Sequence, residues 1–246
     1  MLALVKPKPK IEQAVAHFKA NNIDAIGVSP IDIESNKQGL AQLSELLQLS
    51  NAELSPFIIT STEAAIRLVQ VIKETKFEGK LACCIGESTA LILKPFFKEC
   101  LFPKIQTSEG WLAEFATRPE FNAPSSLPII VKGEGGRDII PLSFTDKKTA
   151  FNAIDVYRRT ELAVPYLTKK INWQSISMVV VTSGHLLECL LKVYPEIDAK
   201  NKTWIVPSER IKQVALSLGC KEIVSSNGAT NAHLLGCVLG LQRGRT

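Results

Sequence analysis

The chain has 246 residues, 46% hydrophobic and 22% charged, enough for one large domain or two of about 100–150 residues and too apolar for a disordered chain. Its net charge of +5 comes from scattered Lys and Arg; with no long basic run, a nucleic-acid arm is excluded and small anionic ligands remain. No apolar run reaches the roughly 18–20 residues of a membrane helix, and "MLALVKPKPK" has the wrong order and length for a signal peptide, so a soluble cytoplasmic protein is expected.

Taken in order, strand-like runs alternate with helix-like runs. "LALV" precedes "IEQAVAHFKANN", and "DAIGVS" follows. "PFIIT" precedes "EAAIRLVQVIKE"; "KLACCIG" precedes "STALILKPFFKE", read as one helix. "LPIIVKG" precedes a poorer helical stretch, and "NAIDVYRRTEL" reads as extended. "ISMVVVTS" precedes "HLLECLLKVY", and "KTWIVP" precedes "SERIKQVALSLG". Such alternation predicts an α/β fold built from βαβ units with parallel sheets.

The two halves match. Ser61 and Ser183, Ser88 and Ser208, and Leu112 and Leu234 each stand roughly 120 positions apart, which predicts two similar domains and not a solenoid. "LVKP" at 4–7 also resembles "IVKG" at 130–133.

Hydroxyl residues sit where helices should begin. Ser and Thr accept hydrogen bonds from the first free N–H groups of a helix. Thr60 with Glu63 fits a capping box, and Ser88, Ser108, Ser183 and Ser208 stand at similar junctions. Capping alone explains any one of them. Their number suggests more: strand-to-helix turns of a parallel sheet collect at one edge, where helix N-termini bind anions. The expected ligand is a polyanion gripped largely by main-chain donors.

Other motifs are weaker. "GEGGRD" at 133–138 places Asp138 where a dinucleotide loop needs glycine. Its glycines give a tight turn from which Arg137 could reach a carboxylate; a plain surface turn is the alternative. Ser183 with His185 lacks the G-x-S-x-G elbow of a hydrolase. The six cysteines include no CxxC pair and the three histidines are isolated in sequence, so buried thiols are expected and not a zinc site. "DVYRRTEL" at 155–162 reads as a charged linker between the halves.

In that order and spacing, "FIITS", "CCIGESTA", "VKGEGGRDIIPL", "VYRRTEL", "VVVTSGHLL" and "IVPSERIKQVALSLG" resemble the uroporphyrinogen-III synthase family, in its bacterial form, almost end to end. The resemblance implies two similar parallel-sheet α/β domains joined by a two-stranded linker, with the duplication interleaved. Residues 1–30 and 161–246 would form one domain and 37–153 the other, with 31–36 and 154–160 as linker strands. It implies a lyase that takes hydroxymethylbilane, removes water, inverts the last pyrrole ring through a spirocyclic intermediate and closes uroporphyrinogen III. It implies no cofactor, no metal, no membrane or nucleic-acid partner, a monomer, and hydroxymethylbilane synthase as the one protein partner to consider. A non-catalytic two-lobed anion-binding protein or an inactive duplicate of the synthase are the alternatives.

Carried over residue by residue, the resemblance makes Tyr157 the acid that assists loss of water. Ser61 and Thr62, and Ser183 and Gly184, match the strand-end hydroxyl turns. Gly86, Ser88 and Thr89 match the second turn, and Ser208 its C-terminal counterpart. Lys6, Lys132, Arg137 and Arg158 are the expected cationic contacts to substrate. Lys6-Pro7 stands where the family has Arg-Pro, which keeps the charge and loses the bidentate fork.

Overall fold

The computed structural model describes residues 1–49, 52–123 and 127–244. In chain order its strands are β1 (Leu2–Val5), β2 (Ala25–Ser35), β3 (Phe57–Ile59), β4 (Gly79–Cys84), β5 (Phe97–Leu101), β6 (Ile129–Gly133), β7 (Asn152–Leu167), β8 (Met178–Val181), β9 (Thr203–Val206) and β10 (Glu222–Ser225). Its helices are α1 (Lys8–Ala20), α2 (Lys37–Leu47), α3 (Thr62–Thr75), α4 (Glu87–Leu93), α5 (Ser108–Phe115), α6 (Pro119–Asn122), α7 (Ile139–Asp146), α8 (Gly184–Val193), α9 (Glu209–Ser217) and α10 (Asn231–Arg243). Two compact units result: Met1–Ile33 with Thr160–Thr246, and Glu34–Arg159. The chain passes from one to the other within β2 and returns within β7.

In the first unit the strand order is β2-β1-β8-β9-β10, all parallel. Alternation along each strand feeds two cores. Ala3, Val5, Val179, Val181, Trp204 and Val206 face α8 and α9 through Leu186, Leu187, Leu190, Ile211 and Ala215. Leu2, Leu4, Met178, Val180 and Ile205 face α1 and α10 through Ile11, Ala14, Phe18, Leu234 and Val238. Burial on both faces explains why these strands read as continuous Val/Leu/Ile runs.

The second unit has the order β7-β6-β3-β4-β5, again parallel. Ile58, Cys83 and Ile130 pack under Trp111, Phe115, Phe121, Ile140 and Phe144. Phe57 of β3, Phe97 of β5 and Phe77, just before β4, form an aromatic triad with ring centroids 5.2–6.2 Å apart. The two sheets are the same layout entered at different strands: β1 and β2 hold the places of β6 and β7, and β8, β9, β10 those of β3, β4, β5. The likeness of "LVKP" to "IVKG" is therefore one of position as well as letters.

Three local expectations are corrected. The run "STALILKPFFKE" is not one helix: α4 stops at Leu93 and β5 begins at Phe97. Pro95 cannot continue the helical ladder, and Phe97 is drawn into the aromatic triad, where it fills the space a side chain at position 79 would need. The capping box is displaced by one residue: Ser61, not Thr60, caps α3, accepting from the Ala64 N–H at 3.2 Å. Thr60 Oγ1 instead donates to the Val131 carbonyl, and Glu63 pairs with Arg67 at 2.8 Å. At α4 the cap position is Gly86, so Ser88 lies inside the first turn.

Candidate functional site

In a doubly wound sheet, ligands bind beyond the carboxyl ends of the strands where the winding reverses. In the second unit that point lies between β3 and β6, and a hollow opens there. It is lined by Thr60 and Ser61 after β3, Lys132 and Gly133 at the end of β6, Gly136, Arg137 and Asp138 in the following turn, Ser108 of α5, Ile140 and Pro141 of α7, and Tyr157 and Arg159 of β7. Its volume is ≈ 150 Å³, room for one pyrrole-sized ring or a pair of carboxylate arms.

Tyr157 is the centre of the arrangement. It is only 2% exposed, yet it lines the hollow. Ser61 Oγ stands 3.1 Å from Tyr157 Oη, and Arg159 Nη2 donates to the same oxygen at 3.1 Å. The guanidinium carbons of Arg67 and Arg159 lie 5.4 and 5.3 Å from the ring centroid, within cation–π range. The ring rests on Gly133, where any Cβ would overlap it. Strand register shifts between Lys132 and Gly133, so Gly133 pairs with Tyr157, and such a shift re-aims a side chain. Gly135, at φ +68°, then turns the chain towards α7.

The charges differ in how far they are already satisfied. Lys132 contacts Asp155 at 2.9 Å and Asp138 at 3.0 Å. Burial pulls its ammonium down, but the bonds to the two carboxylates outweigh that and hold it above the ordinary lysine range. Arg137 donates to Glu109 at 2.7 Å, both exposed. Arg159 makes no ion pair among the described residues. Arg158, on the opposite side of the strand, pairs with Glu34 at 2.9 Å and does not line the hollow.

The first unit carries the same position at the end of β1. Lys6 Nζ donates to Asn231 Oδ1 at 2.6 Å, at the start of α10. Burial, then the neighbouring Lys10 charge, push Lys6 down to about 8. Sheet register sets Ser29 of β2 where β7 carries Asp155, because Val5 pairs with Val28 as Val131 pairs with Ile154. Lys6 thus lacks the carboxylate that its counterpart Lys132 has. Ser29 Oγ is itself buried with no hydrogen-bond partner among the described residues. Ser183 caps α8 through the Leu186 N–H at 3.2 Å, with Gly184 opening the helix. Ser208 holds the cap position of α9 without a side-chain cap bond.

Of the residues expected at the site, Ser61, Lys132, Arg137 and Tyr157 converge on the hollow. Thr62 is the first residue of α3, and Gly86, Ser88 and Thr89 lie at the start of α4, none of them lining it. Arg67 and Asp138 belong to the arrangement without having been expected there, and Arg159, considered only with Arg158 as a charge on the linker, lines the hollow in place of Arg158. Period-two alternation along β7 could have found Arg159, since it shares a face with Tyr157 while Arg158 does not. Cys83 and Cys84 are buried in β4, and burial raises both thiols, the first to about 12, which makes them poor nucleophiles. No helix among the described residues is long and apolar enough to cross a membrane.

A sequence model of the family described as Uroporphyrinogen-III synthase HemD matches residues 12–236. The uroporphyrinogen-III synthase of Escherichia coli (strain K12) is 25% identical over 246 aligned residues, covering 95% of this chain and 98% of that protein. A mutant uroporphyrinogen III synthase of the extremely thermophilic bacterium Thermus thermophilus shares the fold with TM-score 0.60 at 11% identity, over 99% of each chain. The uroporphyrinogen-III synthetase of Helicobacter pylori 26695 does so with TM-score 0.57 at 13% identity, over 98% of this chain and 100% of that one. The switch-point hollow, the two permuted sheets and a family match spanning nearly the whole chain agree: the chain belongs to the uroporphyrinogen-III synthase family.

Proposed function

We propose that this member carries out the family reaction, the cyclisation of hydroxymethylbilane to uroporphyrinogen III, with Tyr157 as the proton donor. The observation that carries the assignment of Tyr157 is its place in the lining of the switch-point hollow, with its hydroxyl held by two other lining residues, Ser61 and Arg159. Because Arg159 donates to the phenol oxygen, the phenol's own proton is left for Ser61 or for a substrate group.

The substrate supplies most of the reactivity. A pyrrole nitrogen lone pair expels the hydroxyl from the hydroxymethyl carbon; as that C–O bond breaks, the Tyr157 proton goes to the departing oxygen and water leaves. The resulting azafulvene is attacked by the last ring through its substituted α-carbon, giving the spiro intermediate. Its fragmentation and reclosure invert that ring, and loss of a proton restores aromaticity. The protein's task is to hold the chain folded, which is positioning work. Lys6 with Asn231 is suited to a substrate carboxylate, being a cation without a carboxylate partner of its own among the described residues. Lys132, already matched by Asp138 and Asp155, sets the shape of the turn and takes a smaller share. A monomer in the reducing cytoplasm, supplied with bilane by hydroxymethylbilane synthase, completes this reading.

The test is an isomer assay. Hydroxymethylbilane is supplied, the product is oxidised, and the porphyrins are resolved. Isomer III is expected from the wild type; isomer I alone, the product of uncatalysed closure, overturns the proposal. Tyr157→Phe removes one general acid, typically worth about 10²–10⁴ in rate. A fall of about 10² or less is expected, because the pyrrole already drives departure, and the residual product remains isomer III. Wild-type turnover in the folded variant removes the tyrosine from the mechanism.

A further inference from the structure

Glu161 stands well before His185 and Cys189 in the chain, but the three meet in the first unit. Cys189 follows His185 by four residues on α8, so both project from one face of the helix. The Cys189 Sγ lies 3.7 Å from His185 Nδ1 and 3.9 Å from Nε2. Glu161 reaches them from β7, and one ligand atom from each of the three lies within 4.8 Å of the others. Ligands of a tetrahedral ion with bonds of about 2.0–2.3 Å stand roughly 3.3–3.8 Å apart, so side-chain shifts of about an ångström bring the trio onto one centre.

We propose that Glu161, His185 and Cys189 form a binding site for a borderline-soft divalent cation of the Zn²⁺ type, with a fourth position open to water. The surroundings fit such an ion. Glu188 Oε2 lies 3.8 Å from His185 Nδ1, beyond hydrogen-bond length but close enough that a small side-chain shift lets it take the Nδ1–H and leave Nε2 as the ligand atom, a common second partner of ligating histidines. The Lys192 ammonium sits 2.8 Å from Glu161, so positive charge already occupies this position; both side chains are largely exposed, and the lysine can swing into solvent at little cost. The thiol and imidazole select against Mg²⁺ and Ca²⁺, which prefer all-oxygen sites. Coordination requires the thiolate, so one proton leaves Cys189 for solvent as the ion binds.

Cobalt(II) titration of the full chain, without any added histidine tag, tests the proposal. Saturation at one equivalent is expected, with a thiolate-to-cobalt charge-transfer band in the near ultraviolet, visible bands of a tetrahedral ion, and loss of both on adding Zn²⁺. Cys189→Ala should abolish the charge-transfer band. Glu161→Gln, at an exposed position that does not threaten the fold, should keep the band but weaken apparent affinity about tenfold or more. No charge-transfer band in the wild type, an undiminished band in Cys189→Ala, or wild-type affinity in Glu161→Gln each overturns the site. If Cys189→Ala fails to fold by circular dichroism, the Glu161→Gln result decides alone.

Discussion

Lys6 and Lys132 occupy equivalent strand ends, but one neighbouring residue separates their chemistry. Where Asp155 neutralises Lys132, Ser29 leaves Lys6, among the described residues, with an amide acceptor and no carboxylate. Lys6 therefore carries a cost in the free protein. Its folded value of about 8 lies below the ordinary 10.5, so between those pH values the unfolded chain holds the extra proton, and stability from this site rises as pH climbs from about 8 to about 10.5. Lys6→Met removes a desolvated charge and keeps the apolar stem. At pH 7 it should raise stability by about 1–2 kcal/mol after discounting the lost Asn231 bond, read as a higher melting temperature. The gain should vanish by about pH 10.5. Binding should move the other way: wild-type affinity for the bilane falls above about pH 8 as Lys6 loses its proton, while Lys6→Met binds weakly throughout. A variant less stable than wild type at pH 7 would contradict the account of Lys6.

At the scale of single elements, the end of β6 shows how a turn serves a side chain. Gly133 is where strand register shifts and where the Tyr157 ring rests. Gly133→Ala must displace the ring or the strand, at a cost of about 1–3 kcal/mol for overpacking. Turnover should fall at least as far as in Tyr157→Phe, because the hydroxyl leaves its bonds to Ser61 and Arg159; equal turnover with wild type would show that the position of the ring does not matter. The elements legible in the sequence are those buried on both faces, such as β1, β3, β6 and β8, because a short run of apolar, largely β-branched residues is the signature of a strand covered on both sides. The two sheet-edge strands, β5 and β10, lack it. Lys98 and Glu99 are exposed and Glu222 faces solvent, so neither strand has an apolar pattern, and Phe97 is fixed by tertiary packing alone. The site is half legible for the same reason. Ser61 and Lys132, at the ends of β3 and β6, follow from the order of elements, whereas Tyr157, inside the long strand β7, is reached through the family resemblance. Arg67, brought under Tyr157 from the interior of α3, and the meeting of Glu161 with His185 and Cys189 depend on packing that no local pattern encodes.

At the scale of the whole molecule, the second unit is continuous in sequence and the first is not. Residues 34–159 contain all of β3 to β6, most of the paired part of β7, and two helical layers around their own aromatic core. Expressed alone, that segment should fold cooperatively, with dispersed amide resonances and a sigmoidal thermal transition. Residues 160–246 alone lack β1, which in the intact protein lies between β8 and β2. Without that strand, Val179, Val180 and the facing helices lose one flank of their cores, and the fragment should remain unfolded until a peptide spanning residues 1–33 is added. A folded 160–246 fragment, or an unfolded 34–159 fragment, would refute the division.

The same passage of the chain through β2 and back through β7 has a consequence on the ribosome. Residues 1–33 emerge with two strands and a helix whose apolar faces have no partner, and they must wait while the second unit, Glu34–Arg159, is made. At about 5–20 residues per second that wait lasts roughly 6–25 s, long enough for the second unit to fold first. The leading segment spends that time as exposed, strand-forming, hydrophobic chain. Conditions that slow translation should therefore lower soluble yield through this segment, and its charged neighbours Lys6, Lys8 and Lys10 stand where they hinder self-association of a nascent edge.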